Sequence, residues 1–494
     1  MHLGCRMTLA LLLGLLGCVP LRAQDIGNEI SSWIVNEDLV GAELLIIRDG
    51  ETLLHEAYGW NDREADTPLQ TGLVYSLASL TKPVTALAIV MLVEDGVLSL
   101  NDPVSRHIDG FAGDPRATVH DLLAQTSGDG GEHGNGAYNV YDFETLEAWV
   151  EDWAGTEATA EYGEFAYSNF NYAALAYIAE RAAGIPFGQF VTRRILEPLG
   201  MNDSYVSFAP DSSWAGRVAT SYTWDDEADR YELFWAPDEP QRWAFFPAAF
   251  GLWGTAADYA KFMTLWFDLG VAGGRRLVSE AMARSALTPQ GLADGEPVYG
   301  YGWFVDPVRA DDGLPLSFRH SGGRGTLAIG YPADRGIVLY FTQSEFPPPH
   351  HRALSNRIEM SRLFHHPGPD MVWAADTDIR EVSLADAQRA EYVGLFRGTV
   401  PWLEGEAWEA EVSVEGDLLQ LSEGRSGSLL RQRVHLVPLD DDQFVFGHYR
   451  GGDLVGVDPP ARVRFLREDK RVTKIEISFD GEAGFVLDKI GSGE

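Results

Sequence analysis

Hydrophobic and polar positions along the chain mark the regular elements. The runs Ala42-Glu43-Leu44-Leu45-Ile46-Ile47 and Thr52-Leu53-Leu54-His55-Glu56-Ala57-Tyr58 flank Arg48-Asp49-Gly50. Two apolar runs around an Asp-Gly turn predict a β-hairpin. Val84, Leu87, Ala88, Met91 and Leu92 recur with a helical period from about Ser79 to Asp95, and Asp95-Gly96 stops the pattern. Shorter helices are predicted over Asn28–Asn36, Asn171–Ala183 and Ala353–Phe364. Ile337–Phe341 is continuously apolar and partly β-branched, which predicts a strand buried on both faces. Residues 210–246 mix acids with Trp224, Trp235 and Trp243 and predict loop or edge strands. His365-His366-Pro367-Gly368-Pro369 breaks the pattern, so residues 367–379 read as a linker. Beyond residue 380 the texture becomes short alternating runs, among them Glu411–Val414, Leu418–Leu421, Val463–Phe465 and Lys474–Phe479. They predict an antiparallel β domain, a small barrel, over residues 380–494.

Composition adds limits. The 494 residues are 45% hydrophobic and 23% charged, an ordinary globular balance with room for a large domain, residues 24–366, beside the smaller one. Against 38 Lys+Arg stand 74 Asp+Glu, a net charge of −36. A surface that acidic repels phosphate backbones, so no nucleic acid is expected as a partner. Both cysteines, Cys5 and Cys18, fall in the first twenty residues, which leaves the predicted domains without a disulfide. Arg6 and the apolar run Thr8–Leu16 precede Leu21-Arg22-Ala23, so residues 1–23 read as a signal peptide. Leu15-Leu16-Gly17-Cys18 offers a second reading, a lipobox with Cys18 lipidated, and only that reading brings the chain to a membrane. Either way the chain is expected to be exported, periplasmic or secreted.

Three short patterns carry candidate chemistry. In Ser79-Leu80-Thr81-Lys82 the first and fourth residues share a helix face, so the Lys82 amine can reach the Ser79 hydroxyl. A serine becomes nucleophilic when a neighbour accepts its proton, and a lysine can do so once burial or positive charge lowers its pKa. The plain alternative is a capping serine beside a solvated lysine. In Tyr167-Ser168-Asn169 a tyrosine can relay a proton and an Asn amide can bind a carbonyl, although a buried tyrosine with a turn-forming Asn also fits. In His320-Ser321-Gly322-Gly323 small residues let a strand edge lie against a substrate, and the Gly323 N–H can serve an oxyanion hole; a glycine-rich turn is the alternative.

The ordered set resembles the three boxes of penicillin-recognising serine hydrolases, and more closely the superfamily of class C β-lactamases, D-alanyl-D-alanine carboxypeptidases, D-aminopeptidases and esterases. Leu122–Gly128, Glu197–Met201, Gly251–Asp258 and Tyr299–Trp303 are similar to that superfamily as well, over roughly residues 25–365. The resemblance implies an α/β fold, an antiparallel sheet flanked by helices, followed by the C-terminal antiparallel β domain. It implies an acyl-enzyme on Ser79, with Lys82 as proton partner and Tyr167 as shared acid/base. Asn169 would bind the substrate amide, and His320, Ser321, Gly322 and Gly323 would line the site, with the Ser79 and Gly323 N–H groups as oxyanion hole. No cofactor or metal is implied. Substrates would be amides or esters of small molecules or D-residue peptides. The alternative is a penicillin-binding or sensor-type module that is acylated without efficient turnover. A partner-binding role for residues 380–494 beside a vestigial catalytic domain is a third.

Departures from the pattern concern the substrate. His320 stands where β-lactamases carry lysine, Gln125 replaces a frequent histidine, and Phe250 stands where a small residue is common. Arg324, just past the third box, can pair with a substrate carboxylate or form a surface salt bridge. His350-His351 and His365-His366 lack the spacing of a metal site, and Asp225-Asp226-Glu227 and Asp440-Asp441-Asp442 read as acidic loop tips.

Overall fold

The computed structural model describes residues 26–491 except 29, 32, 36–38, 131–139, 226–227, 229, 294–295, 307, 309–311, 346–353, 355–357, 359–362, 365–371, 374–381, 400–406, 416–417, 426–431, 441, 451–452 and 479–484. The N-terminal segment, both cysteines, the four paired histidines and most of the expected linker lie outside the described residues. The chain divides into two compact units, Met1–Pro347 and Pro348–Glu494.

The first unit is built on an antiparallel sheet of nine strands: β1 (Gly41–Arg48), β2 (Glu51–Asp62), β3 (Thr67–Pro68), β4 (Gly291–Ala293), β5 (Glu296–Tyr299), β6 (Phe304–Val305), β7 (Phe318–Gly322), β8 (Thr326–Tyr331) and β9 (Gly336–Thr342). Their order is β4-β5-β6-β7-β8-β9-β1-β2-β3. The predicted hairpin is β1–β2, and β9 contains the predicted buried strand. β8 and β9 are buried at every position because they lie mid-sheet with both faces covered. β1 pairs with β9 from Ala42–Thr342 to Ile47–Ile337, so strands almost 300 residues apart close the sheet.

Between β3 and β4 the chain leaves the sheet to form α1 (Thr81–Glu94), α2 (Val119–Ala124), α3 (Leu146–Ala154), α4 (Asn169–Ala183) and α5 (Ala256–Phe267). Twelve successive residues of α1, Thr81 to Leu92, are buried, as expected of a helix apolar all round. It packs against α4, while α5 packs on β9 and β1. The stretch at 210–246 contributes strands Ser221–Asp225 and Arg230–Trp235, which join Ser344–Glu345 in a small sheet. Among the described residues no helix is long and apolar enough to cross a membrane.

The second unit is an antiparallel barrel of β10 (Gly394–Gly398), β11 (Trp408–Glu415), β12 (Leu418–Arg425), β13 (Gln432–Asp440), β14 (Gln443–Arg450), β15 (Asp453–Glu468), β16 (Arg471–Ser478) and β17 (Phe485–Gly491). Each strand pairs with the next, β10 also pairs with β17, and the β15–β16 and β16–β17 ladders complete the ring. Closure removes the unpaired edges that an open sheet would leave. Alternate residues such as Val412, Leu421, Val463, Phe465, Ile475, Ile477 and Leu487 fill the interior. Asp442, one of the expected loop-tip acids, accepts hydrogen bonds from Arg467.

Candidate active site

Ser79 sits in a single 3-10 turn, Ala78–Leu80, and α1 begins two residues later than the sequence pattern suggests. Ala78 has φ of 46°, a left-handed conformation costly for a residue with a Cβ, so its neighbours must hold the turn. They do so from three sides. Leu77 N–H donates to Leu252 O at 2.9 Å, Thr81 Oγ1 donates to Ala78 O at 2.6 Å, and Thr326 Oγ1 donates to Leu77 O at 3.0 Å. β7 passes so close that a Cβ on Gly322 would lie 2.6 Å from Leu77 O and also collide with Thr326 Oγ1. This explains the small residue in the third box. Gly322→Ala is expected to lose about 1–3 kcal/mol of stability by overpacking, read from urea unfolding; wild-type stability would contradict the close approach.

Lys82 is fully buried behind the half-buried Ser79. Its Nζ lies 3.2 Å from Ser79 Oγ, 2.7 Å from Asn169 Oδ1 and 3.0 Å from Ala249 O. Burial holds its pKa well below the usual lysine value. A neutral amine has two N–H donors and one lone pair. Asn169 Oδ1 and Ala249 O can only accept, so they take the two donors, and the lone pair is left for the Ser79 O–H. The sequence patterns place Asn169 near the site but give no sign of Ala249, which acts through its carbonyl. Thr85 Oγ1 pins that segment by donating to Ala248 O at 2.7 Å.

Burial pushes the pKa of the Tyr167 phenol far up, against a smaller opposing influence of Ser79, so it rests protonated. Its ring lies 4.7 Å from Lys82 Nζ, in cation–π range whenever the lysine is charged. In the second box the Asn read as turn-forming instead opens a helix: Ser168 caps α4, accepting from Phe170 N–H at 3.0 Å, and Asn169 is its first residue. A buried network fixes this cap. Ser168 Oγ donates to Asp129 Oδ2 at 2.8 Å, and Gln125 donates to Ser168 O and accepts from Ser168 N–H, both at 3.1 Å. Gln125 thus positions the second box, a role legible only once Ser168 is seen opposite it.

His320, 2% exposed, points between the rings of Tyr167 and Phe304, with centroids 5.9 Å and 5.4 Å away. Its Nδ1 is 2.8 Å from Ser321 O, an acceptor only, so Nδ1 carries the proton. Its Nε2 then accepts from Tyr299 O–H at 3.3 Å. Burial first, then the nearby Lys82 charge, hold its pKa down to about 3. The imidazole is therefore neutral at ordinary pH. Ser321 and Gly323 are exposed and Gly322 is buried, the alternation expected along a strand edge.

The beta-lactamase family profile matches residues 30–359. The chain belongs to the beta-lactamase family. Similar proteins include a penicillin-binding protein and an esterase. A penicillin-binding protein of Bacillus subtilis (strain 168) is 28% identical over 414 residues, 81% of this chain and 86% of its own length. The esterase EstB of Burkholderia gladioli is 36% identical over 191 residues, 35% of this chain and 49% of the esterase. In fold the chain is similar to the octameric penicillin-binding protein homologue from Pyrococcus abyssi, with TM-score 0.59 and 24% identity over 94% of this chain and all of that one. The architecture is thus that of a beta-lactamase-fold protein of the serine hydrolase and penicillin-binding kind.

Within this beta-lactamase-family site, Ser79, Lys82, Tyr167 and Asn169 come together, with His320 against Tyr167 and Gly322 against the Ser79 turn. Arg324 has a partner within the chain. Its guanidinium pairs with the buried Glu345 carboxylate and lies 5.0 Å over the Phe234 ring. Burial holds its pKa down to about 10. Among the described residues no group of His, Cys, Asp and Glu could hold a metal.

Proposed function

We propose that the protein is an exported serine hydrolase that cleaves amide or ester bonds of small molecules or D-residue peptides through an acyl-enzyme on Ser79. One observation carries the reading: Lys82, buried and held by Asn169 Oδ1 and Ala249 O, has its lone pair left for Ser79 Oγ at 3.2 Å. Lys82 takes the serine proton as Oγ attacks the substrate carbonyl. Tyr167, protonated at rest, hands a proton to the leaving group and recovers it from Lys82. The Ser79 and Gly323 N–H groups receive the developing oxyanion, each donor being worth about 2.7–4 kcal/mol. With Oδ1 turned to Lys82, Asn169 keeps its Nδ2 donor for the substrate amide. Neutral His320 supplies no charge, which supports an ester or uncharged amide over substrates that need a fixed cation in the third box. The N-terminal apolar segment supports export.

Parallel assays with a nitrophenyl ester, a D-amino-acid amide and a cephalosporin test this reading. Ester or amide turnover with a burst, lost in Ser79→Ala, is expected. Equal turnover in Ser79→Ala contradicts covalent catalysis at this residue, and a stoichiometric burst without turnover on all three favours the acylated sensor module.

A further inference from the structure

Asp129 lies between α2 and α3, is 6% exposed, and takes part in none of the catalytic steps above. Its Oδ2 accepts from the Ser168 hydroxyl at 2.8 Å and from the Trp153 indole N–H at 3.1 Å. An indole N–H only donates. The Ser168 oxygen already accepts from Phe170 N–H at 3.0 Å, so its own proton goes to the carboxylate. The Trp153 ring in turn stacks on the Phe170 ring, with centroids 5.9 Å apart and parallel planes. Asp129, Ser168, Phe170 and Trp153 thus form a closed circuit that ties α3 to the first turn of α4.

The circuit leads to the nucleophile. A serine hydroxyl rotates freely until a partner fixes it, and here the carboxylate selects the setting that turns a lone pair to Phe170 N–H. A carboxylate beside the N-terminus of the 15-residue α4 also suits the helix dipole. Asn169 is the next residue, and its Oδ1 meets Lys82 Nζ at 2.7 Å. A second tie runs alongside. Asp129 N–H donates to Ser127 Oγ at 3.3 Å, and Ser127 Oγ donates to Asn171 Oδ1 at 2.7 Å.

We propose that Asp129 is a positioning residue for acyl transfer at Ser79: through Ser168 it fixes the first turn of α4 and so holds Asn169 Oδ1 against Lys82. The kinetic consequence rests on the hydrolase reading above, whereas the effect on Lys82 rests on the geometry alone. Asp129 acts through Ser168 and Asn169, so its loss falls on kcat rather than on KM.

The five lysines are Lys82, Lys261, Lys470, Lys474 and Lys489, and Lys82 alone is buried. Carbon-13 labelling at lysine Cε therefore reads the Lys82 titration by NMR, without turnover. In Asp129→Ala the Lys82 ammonium loses the Asn169 acceptor, and its pKa is expected to fall by about one unit. The kcat for a 4-nitrophenyl ester is expected to fall about ten- to hundredfold, as misplacement of a reacting group does, with KM unchanged. Asp129→Asn, whose carboxamide oxygen can accept from both Ser168 and Trp153, is expected to keep wild-type values of both. Ser168→Gly keeps a tolerated cap residue without the hydroxyl, and the same fall in the Lys82 pKa is expected there should Asp129→Ala not fold. A wild-type Lys82 titration in folded Asp129→Ala or in Ser168→Gly overturns the proposal, even where stability is lost. An Asp129→Asn protein as impaired as Asp129→Ala overturns it too. If wild type turns over no ester or amide, the hydrolase reading fails, and the Lys82 titration still decides the positioning.

Discussion

Lys82→Met is expected to lower kcat for the preferred ester or amide about 10²- to 10⁴-fold, the range removed with a general base. Methionine keeps the length and buried packing of the lysine stem, so the loss falls on proton transfer. In wild type kcat/KM is expected to rise with pH as the Lys82 ammonium loses its proton, at a pH well below the ordinary lysine value. Stability carries the same signature. Because the folded-state pKa is depressed, the unfolded chain binds the extra proton between that pKa and the ordinary lysine value of 10.5. The stability linked to Lys82 is therefore fully present above 10.5 and lost as pH falls through the folded value, at about 1.4 kcal/mol per pH unit within the window. Lys82→Met should abolish both the alkaline rise in rate and this part of the stability profile. Calorimetric unfolding and initial rates from pH 6 to 9 provide the check, and a variant with wild-type kcat would remove Lys82 from the mechanism.

A second large effect lies at acid pH. His320 is buried neutral with its pKa held down to about 3 against an ordinary 6.5. As pH falls below 6.5 the unfolded chain gains a proton that the folded site refuses. Stability linked to His320 is thus present above 6.5 and lost as pH falls toward 3, again at about 1.4 kcal/mol per pH unit. His320→Gln can donate to Ser321 O and accept from Tyr299 without titrating. Its urea-unfolding free energy between pH 6 and 4 is expected to fall less steeply than that of wild type by about that slope. Parallel profiles would mean that His320 is not held neutral by the fold. The same neutrality predicts that the acid limb of the rate profile belongs to Lys82.

Much of this was legible in the sequence, and the rest was not for identifiable reasons. Apolar period and turn residues marked the β1–β2 hairpin, α1 and the barrel strands because their signals are local. The Ser79–Lys82 spacing placed two side chains on one helical face, and the structure puts them 3.2 Å apart. The pairing of β1 with β9 was not legible, since a strand's run does not name a partner almost 300 residues away. Nor was the role of Ala249, whose carbonyl has no side-chain signature. The helix start at the second box was not legible because Ser168 serves as a helix cap only through its bonds to Phe170 and Asp129. Arg324 stood out beside the third box, yet Glu345 and Phe234, from separate strands, decide where its guanidinium lies.

The central claim is an activated nucleophile at Ser79, and intact mass after exposure to a fluorophosphonate tests it most directly. The wild type is expected to gain one adduct, mapped to Ser79 and absent from a folded Ser79→Ala variant. A folded wild type that gains no adduct, or a Ser79→Ala variant that gains the same one, would contradict the account.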